Sequence, residues 1–488
     1  MTTAKDANRR ASPCSSPHAE SPQQSVTTAE DSNRPASPPQ CPSPHSTQED
    51  LTTVGDSNQP APPSPSPHDE ASQKDIEEGK AAYQPGGFHP VYIGDVFNNR
   101  YKILNKLGYG RYSTVWLVQD VQYQGHETRE FLALKVLSAE CYGDEKDIFE
   151  REILKHLRDC NPEQLGYKQI CHLVDDFEHK GPNGTHICLV FEAMGETLDS
   201  FQAMFPECRI PNLLTRRFAI QMLLALDYAH DHNVIHTDIK QTNIFVKIQN
   251  HTLIKTGYLA KESPPQQDKD EEQYAVIPSR PLRQYYFNDD ARLSDFNIVL
   301  GDWGVSSWAD NHLTENIQPV ALRAPEVLIR APWNATTDLW NLGAILLELM
   351  CAMRMFSGAV PPDRHYEVKE HLREIVDLFG PFPKALLEKG APYIVSIFDD
   401  EGRPKDEPPL DRPGLSTEAF TPGLDQEVRE QFVSFLFALM KLNPAERLSP
   451  EDLLRHPWLD AIRLSWETLE ASLVNRDESD DCLLSFFF

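Results

Sequence analysis

The chain has 488 residues, enough for about three domains, and 39 of them are proline. It carries 74 acidic and 46 basic residues, and the net charge of −28 argues against direct nucleic-acid binding, because nucleic-acid contact surfaces are basic. Nine cysteines without a C-x-x-C pair indicate a reducing compartment and no zinc site, and the apolar runs are too short to span a bilayer, so we expect a soluble protein without a membrane partner.

Residues 1–88 contain a threefold repeat rich in proline and serine, with repeats that begin at Thr2, Thr27 and Thr52. Few large apolar residues occur there, so burial cannot offset the ordering entropy, and we predict a disordered extension. Several serines precede proline and are either targets of proline-directed kinases or part of an unmodified leader: Ser12, Ser16, Ser21, Ser37, Ser43, Ser64 and Ser66. Ordered structure is expected to begin near residues 88–101.

Residues 101–117 predict two strands joined by a turn that contains Gly108 and Gly110. Glycines let backbone amides approach phosphate oxygens, and Val115, just beyond the turn, could lie on an adenine ring. Ser113 stands where a third glycine is usual in such turns. The turn alone is therefore a weak signal of nucleotide binding.

Residues 131–136 predict an apolar strand with one inward-facing cation, Lys135. A buried lysine is costly unless it is paired, which favours phosphates and a helix carboxylate as partners over a solvated surface position. Glu150 and Glu152 compete for the carboxylate role. Apolar residues follow Glu150 at +3, +4 and +7, so Glu150 lies on the buried face of its helix and is preferred.

The next predicted elements lead towards a polar cluster. Residues 184–195 predict a strand and a hinge, where the backbones of Glu192 and Met194 would meet the adenine edge, and residues 212–232 predict a core helix. Asp238, Lys240 and Asn243 then suit phosphoryl transfer: the carboxylate orients a hydroxyl and accepts its proton, the ammonium neutralises phosphate charge, and the amide oxygen holds a metal ion.

A polar, proline-rich segment at 250–297 predicts an insertion that loops out of the domain. The strand that follows ends at Asp302, whose carboxylate would chelate a Mg²⁺ ion that bridges phosphates. Asp295 is the competing acid, but it precedes the strand and lacks a following glycine.

Three later residues are expected to stabilise the fold and not to take part in the chemistry. Asp338 begins a helix and should hold the backbone of the catalytic loop. Arg447 is the expected buried partner of Glu326, a pair in which removing one side leaves a buried charge.

In this order the motifs resemble the eukaryotic protein kinases over residues 95–460. The resemblance implies an α+β fold with a β-rich N-lobe (101–193) and a mostly helical C-lobe (194–460), followed by a tail (461–488), and it implies ATP and Mg²⁺ as cofactors. Asn243 and Asp302 would bind the metal. The implied nucleotide contacts come from Leu107, Gly108, Gly110, Ser113, Val115, Ala133, Lys135, Glu150, Glu192 and Met194.

Within the CMGC group of kinases, the chain resembles the SR-protein kinases. The stretches 107–117, 184–195 and 312–318 carry this resemblance, and residues 279–282 are similar to fungal members. The branch implies basic Arg/Ser-rich substrates, a monomer, and cytoplasmic and nuclear location. Thr237 stands where most kinases have an arginine that pairs with an activation-loop phosphate, which implies an enzyme active without that phosphorylation.

Residues 370–380 resemble the docking helix of the same branch. Glu370 and Asp377 are seven residues apart and share one helical face, which could hold an arginine-rich peptide. The alternative is a solvated acidic face. For the whole chain the alternatives are another CMGC kinase, proline-directed or of dual specificity, and a catalytically inactive scaffold.

Overall fold

The computed structural model describes residues 77–125, 130–142, 148–263, 267, 274–287, 291–360, 362, 364–405 and 414–459. The predictions for the serine-rich repeat up to residue 76 and for the tail 461–488 concern residues outside these ranges. None of the helices in the described ranges has the length and apolar character needed to cross a membrane.

The N-lobe is built on one antiparallel sheet with strand order β1-β2-β3-β4-β6-β5. Side chains alternate along its strands, so Leu132, Leu134 and Val136 enter the outer core while Lys135 lies on the opposite face. One helix of the lobe, α1 (Glu150–Asp159), has its apolar residues buried at the predicted spacing. The strands are β1 (Val96–Phe97), β2 (Tyr101–Tyr109), β3 (Ser113–Asp120), β4 (Phe131–Leu137), β5 (Leu173–Gly181) and β6 (Gly184–Glu192).

The C-lobe is mostly helical. Its described helices are α2 (Leu198–Gln202), α3 (Asn212–Asp231), α4 (Leu259–Lys261), α5 (Pro325–Leu328), α6 (Thr336–Cys351), α7 (Val368–Phe379), α8 (Lys384–Leu387), α9 (Pro392–Val395), α10 (Gln426–Leu439) and α11 (Pro450–Leu453). The long helices α3 and α6 pack together in one large apolar core. Helix α7 ends at Gly380, whose φ of 86° few other residues adopt without strain.

Short sheets connect the helices and carry the loops of the cleft. A three-stranded sheet has the order β10-β9-β7, β8 pairs with β11, and β12 pairs with β13. These strands are β7 (Met194–Thr197), β8 (Val234–Ile235), β9 (Ile244–Lys247), β10 (Ile298–Leu300), β11 (Ser307–Trp308), β12 (Ala359–Val360) and β13 (His365–Tyr366). The α+β, two-lobed fold predicted from the sequence is confirmed.

Ordered structure begins earlier than the sequence suggested. Residues 77–88 include a 3₁₀ turn (Lys80–Tyr83), and Phe88 is buried. Backbone hydrogen bonds join Gly86 to Asn183 in the β5–β6 turn. The predicted boundary near residue 88 was therefore too late, because its position depends on contacts with a turn almost a hundred residues away.

The prediction that residues 250–297 loop out of the domain was wrong for much of the described part. Tyr258, Tyr286 and Phe296 are fully buried in the large core. Ile277 instead enters the outer core of the N-lobe sheet. The described residues 274–280, hereafter the strap, thus lie against the N-lobe although they belong to an insertion of the C-lobe. The apolar residues that anchor the insertion are scattered through a polar sequence, so they show no periodic pattern.

Candidate active site

Lys135 is the centre of a charged cluster at the floor of the N-lobe. Its Nζ lies 2.6 Å from Glu150 Oε1 and 2.7 Å from Asp302 Oδ1. The side chain of Glu150 is almost fully buried, whereas that of Asp302 is 44% exposed. The predicted pairing of Lys135 with Glu150 is confirmed; Glu152 instead accepts a hydrogen bond from Tyr142 on the surface.

The charges in this cluster affect one another strongly. The Lys135 ammonium lowers the pKa of Asp302 although burial opposes the shift. Burial alone would lower the pKa of Lys135, but the Asp302 and Glu150 carboxylates outweigh it and raise that pKa. Burial raises the pKa of Glu150, and Lys135 works against that rise. Lys135 therefore stays charged and divides one positive charge between two carboxylates.

The loop that carries Asp302 is held in an unusual conformation. Asp302 has a φ of 56°, in the left-handed region that side chains rarely adopt. A Cβ atom on Gly304 would come within 3.3 Å of Glu150 Oε2, so the backbone at this position packs closely on the cluster. The neighbouring Trp303 is buried with its ring 4.7 Å from the His236 ring. These contacts hold the loop in its present position.

Two polar side chains of the catalytic loop converge on one oxygen of the Asp238 carboxylate. Asp238 Oδ2 accepts hydrogen bonds from Lys240 Nζ at 2.8 Å and from Asn243 Nδ2 at 2.9 Å. Both bonds fix the Asp238 carboxylate through the same atom. The Asn243 bonds use its Nδ2 donor, and its Oδ1 is the atom that could bind a cation.

The same loop is anchored to the core of the C-lobe. Asp338 accepts hydrogen bonds from the backbone N–H groups of His236 at 2.9 Å and Thr237 at 3.0 Å, so the predicted role of Asp338 is confirmed. The His236 ring lies 2.9 Å from the Gly301 carbonyl oxygen, which ties this loop to the one that carries Asp302. The Gly301 N–H in turn donates to the Asn243 carbonyl oxygen.

The glycine turn lies over the charged cluster. Strand register places Gly108 opposite Val115 and Val115 opposite Lys135, so the three lie side by side across β2, β3 and β4. Ala133, two residues before Lys135, shares its face of the sheet. The Ser113 side chain is buried instead of standing at the tip of the turn.

The remaining predicted nucleotide contacts lie near the end of strand β2 and where the chain passes from the N-lobe to the C-lobe. Leu107 is partly buried and packs against the large core just before the turn. Glu192 pairs with Leu132 at the end of β6, and Met194 pairs with Lys247 in the C-lobe. The chain between Glu192 and Met194 therefore crosses from one lobe to the other.

The segment after Asp302 is held by neutral hydrogen bonds. Thr237 Oγ1 donates to the Val305 carbonyl oxygen at 2.8 Å, and the Gln318 N–H donates to the Thr237 carbonyl oxygen at 2.9 Å. The Gln318 amide also donates to Asn341 Oδ1 and accepts from the Ala324 N–H, both at 2.8 Å. Sequence reasoning gave Gln318 no role, because its partners lie on helix α6 and in the next turn of the chain.

Helix α7 carries the predicted docking pair, and it also carries an acid that the sequence analysis missed. Glu370 and Asp377 are both partly exposed, and Glu370 is paired with Arg373 at 3.2 Å. Glu374 lies between them on the same face and is fully buried, where it accepts hydrogen bonds from Ser357 and from the Gly358 N–H. In the sequence, the only signal for Glu374 was the position of an acidic residue on an otherwise apolar helix face.

A second buried ion pair lies away from the cleft. Arg447 donates two hydrogen bonds to Glu326, each 2.6 Å long, and both side chains are fully buried. Its Nη1 also donates to the Thr336 carbonyl oxygen, and its Nε to that of Lys441. The prediction of this pair is confirmed.

The cleft residues fit a nucleotide with a divalent cation. Asp302 is exposed to the cleft, and Asn243 Oδ1 can serve as a second oxygen ligand. No cluster of three His, Cys, Asp or Glu side chains suited to a metal occurs among the described residues, so phosphate oxygens would have to complete the coordination shell. Lys135 supplies a charged donor that phosphates could take over from Asp302.

Comparisons with known proteins agree with this geometry. The protein kinase domain family matches residues 101–269 and 289–459. A serine/threonine protein kinase of Aspergillus fumigatus is 32% identical over 387 residues, which cover 79% of this chain and 91% of the relative. The serine/threonine-protein kinase SRPK of Physarum polycephalum is 28% identical (78% and 91% covered), and SRSF protein kinase 3 of Homo sapiens is 25% identical (79% and 90% covered).

Proposed function

Because the chain belongs to the SR-protein kinase branch of the protein kinase family, we propose that it phosphorylates serines of Arg/Ser-rich proteins and needs no phosphate on its own activation segment. As a protein kinase it uses ATP and a divalent cation. The name of the human relative, SRSF protein kinase 3, supports this substrate class. The observation that carries the proposal is the acidic pair on helix α7, which packs against α5 at the end of the activation segment.

In this mechanism Asp238 receives the substrate serine. Its Oδ2 is fixed by Lys240 and Asn243, which leaves Oδ1 to orient the hydroxyl and accept its proton. Lys240 lies beside that carboxylate and would stabilise the charge that collects on the transferred phosphoryl group. Lys135, held by Glu150, would position the phosphates of ATP.

A divalent cation, which we propose is Mg²⁺, would be held by Asp302 and Asn243. It would supply charge neutralisation between the phosphates. Asp302 accepts a hydrogen bond from Lys135 at 2.7 Å, and nucleotide phosphates would compete for that donor. This exchange needs little movement, because Asp302 is partly exposed and its loop is fixed by Trp303 and Gly304.

Arginines of the substrate would bind on helix α7. A guanidinium group can form two parallel hydrogen bonds with a carboxylate, and two carboxylates on one helical face would hold two arginines of a repeat. Glu370 is bound only by Arg373 of its own helix among the ion pairs described here, and a substrate arginine would compete with that pair. The net charge of −28 would attract a basic substrate over longer distances.

The hydrogen bonds of Thr237 and Gln318 support activity without phosphorylation. In kinases with arginine at the position of Thr237, a phosphate orders the activation segment. Here the Thr237 hydroxyl and the Gln318 side-chain amide hold that segment through neutral contacts, and Thr237 brings no positive charge that a phosphate would have to offset.

A peptide comparison tests the proposal against the proline-directed alternative. We expect the chain to phosphorylate an Arg/Ser-repeat peptide at least about tenfold more efficiently than a Ser-Pro peptide of the same length. An Asp238→Ala variant should label neither peptide. Equal or better use of the Ser-Pro peptide would contradict the proposed specificity, and labelling by the Asp238→Ala variant would contradict the mechanism.

A further inference from the structure

Ser279 is the only serine in the chain that is followed by arginine. It lies in the strap, outside the active site and about two hundred residues after the serine-rich repeat in the sequence. The residue is half-buried, and Pro278 beside it is exposed. The strap therefore carries, against the N-lobe, the same dipeptide that the proposed function assigns to substrates.

The Ser279 side chain is part of a buried charged cluster. Glu77 accepts hydrogen bonds from the Ser279 N–H at 2.6 Å and from its hydroxyl at 3.0 Å. Glu77 and Glu78 also accept hydrogen bonds from Lys106 Nζ at 2.9 and 2.7 Å. Lys106 has no exposed side-chain area and donates a further bond to the Ile277 carbonyl oxygen. One lysine thus holds the N-terminal segment and the strap together.

This cluster is connected directly to the glycine turn. Lys106 precedes Leu107 in strand β2, and its Nζ lies 5.1 Å from the centre of the Tyr109 ring in the turn. The Arg280 N–H donates to the Lys106 carbonyl oxygen at 2.8 Å. Burial opposes ionisation of Glu77, but the hydrogen bonds from Ser279 and Lys106 lower its pKa. The contacts are those of an ionised carboxylate whose donors include a hydroxyl.

We propose that Ser279 is a phosphorylation site for a second copy of this kinase, and that its phosphate releases the strap from Glu77 and Lys106. The inference rests on the proposed preference for Ser-Arg. The transfer forms a bond between Ser279 Oγ and the γ-phosphorus of ATP and breaks the bond from that phosphorus to the β–γ bridging oxygen. ADP leaves, and the hydroxyl proton passes to Asp238 of the acting copy.

The charge balance gives the direction of the switch. The cluster holds one positive charge and two carboxylates, and a phosphate would add a charge of about −1.5 to −2 at neutral pH. An ionised phosphate on Ser279 cannot donate a hydrogen bond to Glu77, so the hydroxyl donor to this carboxylate is lost and is replaced by repulsion between the two anions. The strap then leaves strand β2, and the glycine turn loses a support next to Leu107.

Labelling in trans tests the site. The full-length Asp238→Ala chain is incubated with catalytic amounts of the wild-type kinase and labelled ATP, and the product is mapped by mass spectrometry. We expect phosphate on Ser279, and we expect its loss when the acceptor also carries Ser279→Ala or Arg280→Ala. A Glu77→Gln acceptor should be labelled faster, because the strap opens more easily. Label confined to other serines would overturn the inference.

An Arg/Ser-repeat peptide assayed in parallel separates the two proposals. If the kinase labels the peptide but not Ser279, the proposed function stands and the inference falls. If it labels neither, both fall.

Hydrogen exchange tests the switch itself. With Ser279 fully phosphorylated, amide exchange in residues 102–109 should rise by about tenfold relative to the Ser279→Ala chain, and the KM for ATP should rise with it. Unchanged exchange at full phosphate occupancy would overturn the proposed release.

Discussion

Lys135 and Arg447 each pair with a buried glutamate, but their surroundings differ. Lys135 is shared between Glu150 and Asp302, and Asp302 is 44% exposed to the cleft. Arg447 binds both oxygens of Glu326 and two carbonyl oxygens, with no exposed area. The first cluster can exchange a carboxylate for phosphate, whereas the second has no open position. An exposed third group that shares the cation therefore distinguishes an ion pair suited to ligand binding from one that only stabilises the fold.

The largest effect is expected when Asp302, the exposed member of the cluster around Lys135, is replaced. Asp302→Asn should lower the phosphorylation rate by about 10²–10³-fold, because it weakens the charge stabilisation of the transferred group. Unfolding by urea should change little, since Lys135 keeps Glu150 as partner. Asp295→Asn is the matched control and should remain near wild-type activity, as Asp295 caps a surface turn. Equal losses in the two variants would contradict the assignment.

Breaking the pair of Glu326 and Arg447 should have the opposite result, with lower stability and nearly unchanged activity. Glu326→Ala leaves the Arg447 charge buried without its carboxylate and should lower the free energy of unfolding by about 3–5 kcal/mol. The measurement is urea unfolding, combined with activity per folded molecule. That specific activity should stay within about twofold of wild type. A folded but inactive Glu326→Ala chain would contradict a purely structural role.

Glu348 sharpens the comparison, because it is a mostly buried carboxylate whose nearest cation, Arg354, is 3.8 Å away. Burial raises its pKa from 4.5 to about 7. The folded state thus holds this proton more tightly than the unfolded state, so the contribution to stability is fully present below pH 4.5 and is lost as the pH rises through 7.

Glu348→Gln should remove this pH dependence and stabilise the protein at pH 8 by about 1–2 kcal/mol relative to wild type. Urea unfolding of both chains at pH 5 and pH 8 measures the effect. A destabilised variant at pH 8 would show that the ionised carboxylate is well paired, in the manner of Glu326.

Reversing the charges of Glu370 and Asp377, which are both partly exposed, tests whether helix α7 binds the substrate. Glu370→Lys with Asp377→Lys should raise the KM for an Arg/Ser-repeat peptide by about tenfold, while the KM for a short generic peptide stays unchanged. The control reverses two exposed charges on α10, Glu427→Lys with Glu430→Lys. A similar rise of the KM in the control variant would show that the effect comes from the net charge of the protein and not from helix α7.

The smallest effect is expected from dephosphorylation, which should not change the activity. Phosphatase treatment should leave the activity unchanged, because Thr237 and Gln318 hold the activation segment through neutral hydrogen bonds. The assay compares treated and untreated protein on the same peptide. Loss of activity that returns on rephosphorylation within residues 305–322 would contradict this expectation.

Pairs within or between periodic elements were predictable from the sequence. Lys135 stands out in an apolar strand, and helical spacing selects Glu150 over Glu152, so both the elements and their contact followed from local patterns. The partners expected for Asp338 and Arg447 depended instead on the order of the kinase motifs, because local periodicity does not identify the partner of a buried ionisable residue.

Contacts that depend on distant, irregular segments were not predictable. Lys106 binds Glu77 and the strap, and neither partner carries a periodic pattern that would place it against β2. Tyr258 is buried although it belongs to the polar, proline-rich segment 250–297. Glu374 was missed because its partners, two backbone N–H groups and the Ser357 hydroxyl, have no signature in the sequence.

We expect the cleft around Lys135 to be the site of phosphoryl transfer, and a comparison of transfer rates tests this claim. The rate of phosphate transfer to an Arg/Ser-repeat peptide is compared for wild type, Lys135→Met and the control Lys102→Met, which changes an exposed lysine of β2. We predict a loss of about 10²–10³-fold for Lys135→Met, measured per folded molecule because the buried Glu150 loses its cation, and wild-type rates for Lys102→Met. Equal rates for wild type and a folded Lys135→Met chain would contradict the claim.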